Sequence, residues 1–346
     1  MESTNTSKPT SAAEDTILSE AALACDHRAR ILTSSTGPSP AFSGATNVYS
    51  PLGMTVRRFV RLADETPGGR QALDGLTTSA WLKLVLKHYD LTKGSLCQQL
   101  QAEGDAGIGI ATWFVSFYAR DTVLEFLDTL EHFFAMEPQG LDTVIWFFLI
   151  SVVNPNADLD DAAGESRLFT QAIQSVGNFV MMLASLHKPT TVLTRAWCMY
   201  EFYTAWNSGL RIEFALPRAQ CAQLIEDTRS EPTRFSEFLA NVRSESSSCY
   251  SAEVTQYIHA SLESSVGFAG LDILLHSALQ SWMVQLLQCK IDEASADRND
   301  DETAQYLNAE DTPQGYLRMN GRGVRLIQDA NQIRKLQLAT IEFSEL

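Results

Sequence analysis

The chain has 346 residues, of which 45% are apolar and 20% are charged, as is ordinary for a globular protein. Its 26 Lys and Arg residues against 42 Asp and Glu residues give a formal net charge of −16. Because such an acidic chain repels phosphate backbones and anionic lipid surfaces, we expect neither nucleic acid nor a membrane among its partners.

The first hundred residues divide into two segments of different composition. Residues 1–50 hold sixteen Ser or Thr residues, which predicts a disordered lead-in with one short amphipathic helix at 17–31 and no signal peptide. Residues 51–105 are predicted to form a helical N-terminal extension, in which Trp81 and Leu82 with Val85 and Leu86 mark a buried face.

Helix and strand signals alternate in the middle of the chain, which is typical of layered α/β folds. Four apolar runs predict strands, at Thr112–Phe117, Val144–Val153, Phe179–Leu186 and Ile212–Leu216. Helices are predicted between them, at 121–134, 169–176 and 197–206. Because the strands are continuously apolar, they indicate a parallel sheet covered by helices on both faces. The run at 144–153 is half the length that a membrane span needs.

The last hundred residues begin with helical periodicity. Apolar residues spaced three or four apart predict one buried stripe, formed by Leu271, Leu275, Ala278, Trp282 and Leu286. Residues 291–311 hold eight acidic residues against one Arg, which predicts a solvated linker before a terminal helix at 324–338.

Several candidate sites fail on spacing or context. Three glycines at 104–109 precede a strand instead of opening a helix, so they do not form a phosphate loop. The acidic cluster at 158–161 lacks the glycine and glutamate of a calcium loop, and Asp128 with His132 has no third ligand, so no metal site is predicted. The six cysteines lie more than twenty residues apart, which favours a reducing, cytoplasmic setting and a packing role for Cys198.

The most informative segment is TVLTRAWCMYEFYTAW, residues 191–206. Thr194 is a suitable N-cap for the helix that follows it. Glu201 lies about two turns into that helix and is surrounded in sequence by aromatic and apolar residues. An exposed or capped glutamate is the commoner explanation, whereas a carboxylate with a perturbed pKa at a functional site is the alternative.

This segment resembles the WCxxEL signature of Toll/interleukin-1 receptor (TIR) domains. Trp197 and Cys198 match the W and C, and Glu201 matches the glutamate that is catalytic in the NAD-cleaving members. Upstream, VSFYARDTVLEFLDTL is similar to the opening of plant TIR domains, a strand followed by the first helix. The residues that match are Ser116, Phe117, Asp121 and Thr122, with one residue fewer between Phe117 and Asp121.

The TIR-like regions of uncharacterised algal and protist proteins are more similar still. Their three conserved stretches correspond in order to 111–119, 145–154 and 192–201 of this chain. Phe117, Ala119 and Phe148 replace the His, the Trp and the strand Asp of that pattern. Loss of the Asp removes a polar group from the edge where open α/β sheets bind ligands, which argues against catalysis more than against the fold.

The resemblance implies a flavodoxin-like, TIR-like α/β domain at residues 106–290 with helical extensions. Two functions follow. The first is a cytoplasmic signalling module that needs no cofactor and binds itself or other TIR-like domains. The alternative is an NAD glycohydrolase, in which Glu201 stabilises the positive charge that develops on the ribose of its substrate NAD. We favour the module, because a single carboxylate rarely makes an enzyme.

The arrangement of side chains around Glu201 distinguishes the two hypotheses. An enzyme should gather polar groups around Glu201, whereas a module can leave them apart, and two aromatic residues would help to exclude water from the site. The candidates are Ser116, Arg120, Asp121 and Asn154 as polar groups and Trp197 and Tyr200 as aromatic residues.

Overall fold

The computed structural model describes residues 49–152, 162–184, 192–230 and 233–308. These residues belong to one compact unit that contains a six-stranded, mostly parallel sheet and eleven helices. The expected lead-in at 1–50, apart from its last two residues, the helix at 17–31 and the terminal helix at 324–338 lie outside the described residues.

The sheet has the strand order β2-β1-β4-β3-β5-β6. Its strands are β1 (Leu52–Thr55), β2 (Ile108–Ile110), β3 (Trp113–Ser116), β4 (Val144–Trp146), β5 (Asn178–Met182) and β6 (Arg211–Ala215). The strands β4, β3, β5 and β6 run parallel to one another, whereas β1 is antiparallel to both β2 and β4. The parallel part confirms the prediction from the continuously apolar runs.

Helices connect and cover the strands. They are α1 (Val56–Glu65), α2 (Thr78–Leu86), α3 (Leu96–Ala102), α4 (Val123–Phe134), α5 (Phe148–Ser151), α6 (Ala162–Ser175), α7 (Ala196–Asn207), α8 (Arg218–Ser230), α9 (Arg234–Ala240), α10 (Ala252–Ser265) and α11 (Phe268–Asn308). Hydroxyl side chains fix several of the starts, because Thr55, Thr122 and Ser251 each accept a hydrogen bond from the backbone N–H three residues later.

The sheet separates two apolar cores, one on each face. Side chains alternate between faces along a strand, so Trp113 and Val115 enter one core while Phe114 enters the other. Phe114 stacks between Trp146 and Phe179, at centroid distances of 5.1 and 5.8 Å. The same alternation places Ser116 on the face of Phe114, which α7 covers.

Two strand predictions need correction. The apolar run predicted as one strand at Val144–Val153 holds only the short β4, and Phe148–Ser151 form the helical turn α5. A continuously apolar run does not distinguish a buried strand from a buried helix. The segment 51–105, predicted as helical, also contributes β1 to the sheet.

The predicted acidic linker after residue 290 is helical as far as the description extends. Helix α11 continues through residues 291–308 to Asn308. Residues 271–308 contain neither glycine nor proline, so nothing in their backbone chemistry interrupts the helix. Within the described ranges, no helix is both long enough and apolar enough to cross a membrane.

Candidate functional site

The connections between the parallel strands reverse direction beside β3. The chain passes from β3 to β4 on one side and then crosses to β5 on the other side. In open α/β sheets, such a reversal creates a crevice at the carboxyl ends of the two central strands, and ligands bind there. Ser116 is the last residue of β3 and therefore lies at this edge.

Ser116 and Glu201 join the sheet to helix α7 at this edge. The Ser116 hydroxyl donates a hydrogen bond to Glu201 Oε2 at 2.5 Å. Both residues are buried, with exposed fractions of 1% for Ser116 and 7% for Glu201. Both partners of this hydrogen bond are candidate site residues, and the Glu201 carboxyl is buried instead of exposed.

Burial changes the protonation state of Glu201. It raises the pKa of the carboxyl to about 8, and the hydrogen bond from Ser116 opposes this shift only in part. At pH 7 the carboxyl group is therefore mainly neutral. In its neutral form, Glu201 accepts the hydrogen bond from the Ser116 hydroxyl without placing a charge in the apolar interior.

Cys198 lies one turn before Glu201, and its thiol is also buried. The thiol donates to the Phe117 carbonyl oxygen at 3.7 Å. Burial is the main cause that raises the pKa of Cys198 well above its usual range. A protonated thiol is a poor nucleophile, so Cys198 acts in packing, as the sequence predicts.

The other polar site residues that the sequence predicts are Arg120, Asp121 and Asn154. Arg120 is exposed, and the Asp121 carbonyl oxygen accepts a hydrogen bond from the Thr78 N–H at 2.9 Å. Asn154 lies outside the described residues. Of the predicted site residues in the described ranges, Ser116 alone is hydrogen-bonded to Glu201.

The two aromatic candidates contact helix α6. The Trp197 ring lies 5.1 Å from the Phe169 ring and 5.8 Å from the Tyr200 ring, measured between centroids. The Tyr200 hydroxyl is 3.0 Å from Thr170 Oγ1. Both aromatic side chains therefore help to pack α7 on α6.

A cavity of about 510 Å³ lies beside the segment that precedes and begins helix α10. Its lining residues are Ser248, Cys249, Tyr250, Ser251, Ala252, Thr255, Gln256 and His259. None of the predicted site residues belongs to this lining. Glu201 thus lies at the sheet edge where ligands are expected but does not line this cavity.

The start of helix α7 differs from the prediction. Thr194 ends a short 3-10 turn, and Arg195 occupies the N-cap position without a capping hydrogen bond from its side chain. The Arg195 guanidinium carbon lies 5.4 Å from the centre of the Tyr118 ring, a cation–π contact. Arg195 was not among the predicted site residues, although a basic residue between β5 and the next helix was a usable signal.

The described residues contain no group of three or more His, Cys, Asp or Glu side chains that could hold a metal ion. The cysteines within them, Cys97, Cys198, Cys221 and Cys249, are free thiols. Comparison of the chain with protein-family models, curated proteins and solved structures finds no match in any of the three.

Proposed function

We propose that the chain is a TIR-like interaction module that associates with itself or with other TIR-like domains and does not cleave NAD. Numbered from β3, the parallel strands have the order 2-1-3-4, which agrees with the first four strands of a flavodoxin-like sheet. Helix α7, which carries Trp197, Cys198 and Glu201 of the TIR-like signature, follows the third of these strands. This arrangement supports the fold that the resemblance implies.

The enclosure of Glu201 carries the proposal: the residue is 7% exposed and its carboxyl is hydrogen-bonded to Ser116. A carboxyl group that stabilises an oxocarbenium-like transition state must be ionised. Burial keeps the Glu201 carboxyl mainly neutral at pH 7, with its hydrogen bond taken by Ser116. We assign this pair a structural role, because it anchors α7 to the end of β3.

The edges of the sheet favour a particular surface for self-association. At one edge, β6 carries Arg211, which pairs with Glu137 and Glu213, and such charges discourage pairing with another strand. At the other edge, β2 reads Ile-Gly-Ile without a charge, and Ile110 is 62% exposed. An open, uncharged edge favours strand pairing with a second copy of the chain.

Self-association is tested by sedimentation velocity over a wide concentration range. We expect the wild-type protein to dimerise as its concentration rises and Ile110→Lys to stay monomeric, because a lysine on an edge strand opposes pairing. The matched control is Ile273→Lys on α11, where the replaced side chain is 66% exposed. A wild-type protein that is monomeric throughout, or equal dimerisation of wild type and Ile110→Lys, would contradict this proposal.

A second candidate, the NAD glycohydrolase, keeps one observation in its favour. A carboxyl group with a strongly raised pKa lies at the edge of the sheet where α/β folds bind ligands. In this alternative, NAD is the substrate and only the ionised form of Glu201 is active. Turnover would then increase as the pH passes about 8.

A further inference from the structure

Helix α2 is anchored by one face and presents the other to solvent. The Trp81 side chain is fully buried, and its indole N–H donates a hydrogen bond to Thr66 Oγ1 at 3.0 Å. Leu82 and Leu86 are buried in the same apolar core. The opposite face is therefore held in a fixed position on the surface, where a partner can contact it without rearranging the helix.

The solvent-facing side of α2 combines two cations with an exposed leucine. Lys83, Leu84 and Lys87 are exposed, and Leu84 is 42% exposed. Together with the partly buried Ala80 they recur three or four residues apart, which places them on one face of the helix. We call these four residues the α2 face.

The charge of the α2 face contrasts with that of the chain. Residues 75–89 contain no Asp or Glu, although the chain has 42 of these residues and a net charge of −16. The helix dipole accounts for cations in the last turn, because the free carbonyl groups there carry partial negative charge. It does not account for a large apolar side chain exposed between the two lysines. An apolar centre with a charged rim is the arrangement of a protein interface.

Arg120 adds a third cation beside the start of the helix. The Ser79 N–H donates to the Ala119 carbonyl oxygen at 2.9 Å, which holds the neighbouring Arg120 against the first turn of α2. Arg120 is exposed, whereas Asp121, the acidic residue next to it, is half-buried. From Ser79 to Lys87 the helix rises about 12 Å, so cations are attached at both ends of a surface of roughly two turns.

We propose that the α2 face binds an acidic amphipathic helix of a partner protein. Carboxylates of that helix pair with Lys83, Lys87 and Arg120, and its apolar stripe covers Leu84. Because the net charge of the chain repels extended polyanions such as nucleic acid and anionic lipid surfaces, a cationic face of this size suits a short acidic helix. The contact is independent of the proposed self-association, since none of its residues belongs to strand β2.

Fluorescence anisotropy of a designed peptide, titrated with the full chain, tests the site. The probe is a fluorescein-labelled helix of about 18 residues, with Leu every three or four positions and Glu at the flanking positions. We expect saturable binding by the wild-type protein and a loss of at least about tenfold in affinity when Lys83→Glu and Lys87→Glu are combined, because like charges then oppose the peptide. The control combines Arg218→Glu with Arg243→Glu, which changes the net charge equally at exposed positions elsewhere.

Leu84→Ser tests the apolar part of the contact, because it leaves every charge in place. We expect it to weaken peptide binding at least about threefold. No saturable binding by the wild type, an equal loss in the two double variants, or unchanged affinity of Leu84→Ser would overturn the proposal. Tighter binding of anionic lipid vesicles or duplex DNA, with the same dependence on Lys83 and Lys87, would also overturn it, since the face would then serve another class of ligand.

A second measurement avoids mutation altogether. Hydrogen exchange of the wild-type protein, followed by mass spectrometry, reports which segments the peptide protects. Saturating peptide should slow exchange at least about fivefold in residues 75–89 and leave residues 252–265 of α10 unchanged, because binding stabilises only the element that is contacted. Equal exchange of residues 75–89 with and without the peptide would refute the site, whatever the folding of the variants.

Discussion

Replacing Glu201 by Gln is expected to stabilise the protein at pH 8 and above and to change its stability at pH 5 by no more than about 1 kcal/mol. In the unfolded chain, the carboxyl ionises near its ordinary pKa, whereas in the folded protein it holds its proton up to about pH 8. The folded state therefore binds more protons in this window, and the free energy of unfolding decreases as the pH rises through it. The decrease approaches 1.4 kcal/mol per pH unit and, between the ordinary pKa of 4.5 and the folded value of about 8, totals roughly 5 kcal/mol.

Urea denaturation of both proteins at pH 5, 6, 7 and 8 measures this effect. Glutamine has nearly the volume of glutamate and no titratable group, so the difference between the two curves isolates the carboxyl. Glu103→Gln is the control at an exposed position and should keep the wild-type pH dependence. If wild type and Glu201→Gln gave parallel curves, the carboxyl would not be buried in a neutral form.

Replacing Gly53 by Ala should destabilise the protein by about 3 kcal/mol. Gly53 lies in β1, and an added Cβ would meet the Ile145 carbonyl oxygen at 2.2 Å and the Ala111 Cβ at 3.0 Å. The first contact is with backbone, which cannot move without disturbing the pairing of β1 with β4. The expected loss of stability therefore tests directly whether β1 pairs with β4 in the antiparallel part of the sheet.

Gly109→Ala in the neighbouring strand β2 is the matched control. There an added Cβ would lie 3.5 Å from Val144 Cγ2, which is an ordinary contact. We expect a change of less than about 1 kcal/mol, measured by urea denaturation alongside Gly53→Ala. Equal tolerance of both substitutions would mean that β1 does not pack against β4 as described.

The parallel strands were predictable because burial on both faces imposes continuous apolar runs on their sequence. Strand β1 was not, because four residues carry too little pattern and its partners, Ile108–Ile110 and Val144–Trp146, lie far along the chain. The predictions of a strand through Phe148 and of a linker after residue 290 were wrong for a related reason. Local composition does not reveal whether the neighbouring structure continues through a segment.

The candidate site also has features that were predictable from the sequence and features that were not. The resemblance was sufficient to name Ser116 and Glu201 as candidates but not to show that the two are hydrogen-bonded. The neutral state of Glu201 depends on how completely helices pack over the carboxyl, which no local pattern encodes. Arg120 was a candidate only through its place next to the matched opening residues, and the structure exposes it. Arg195 was missed because its environment depends on the distant segment at Ser248.

Nicotinamide release from NAD is the most direct test of the proposal that Glu201 has a structural role. Wild-type protein and Glu201→Gln are incubated with NAD at pH 7 and pH 9, so that the carboxyl is tested on both sides of its pKa of about 8. We expect no release above the protein-free blank for either protein at either pH. Release by the wild type that falls at least about a hundredfold in Glu201→Gln would contradict the proposal and establish Glu201 as a catalytic carboxylate.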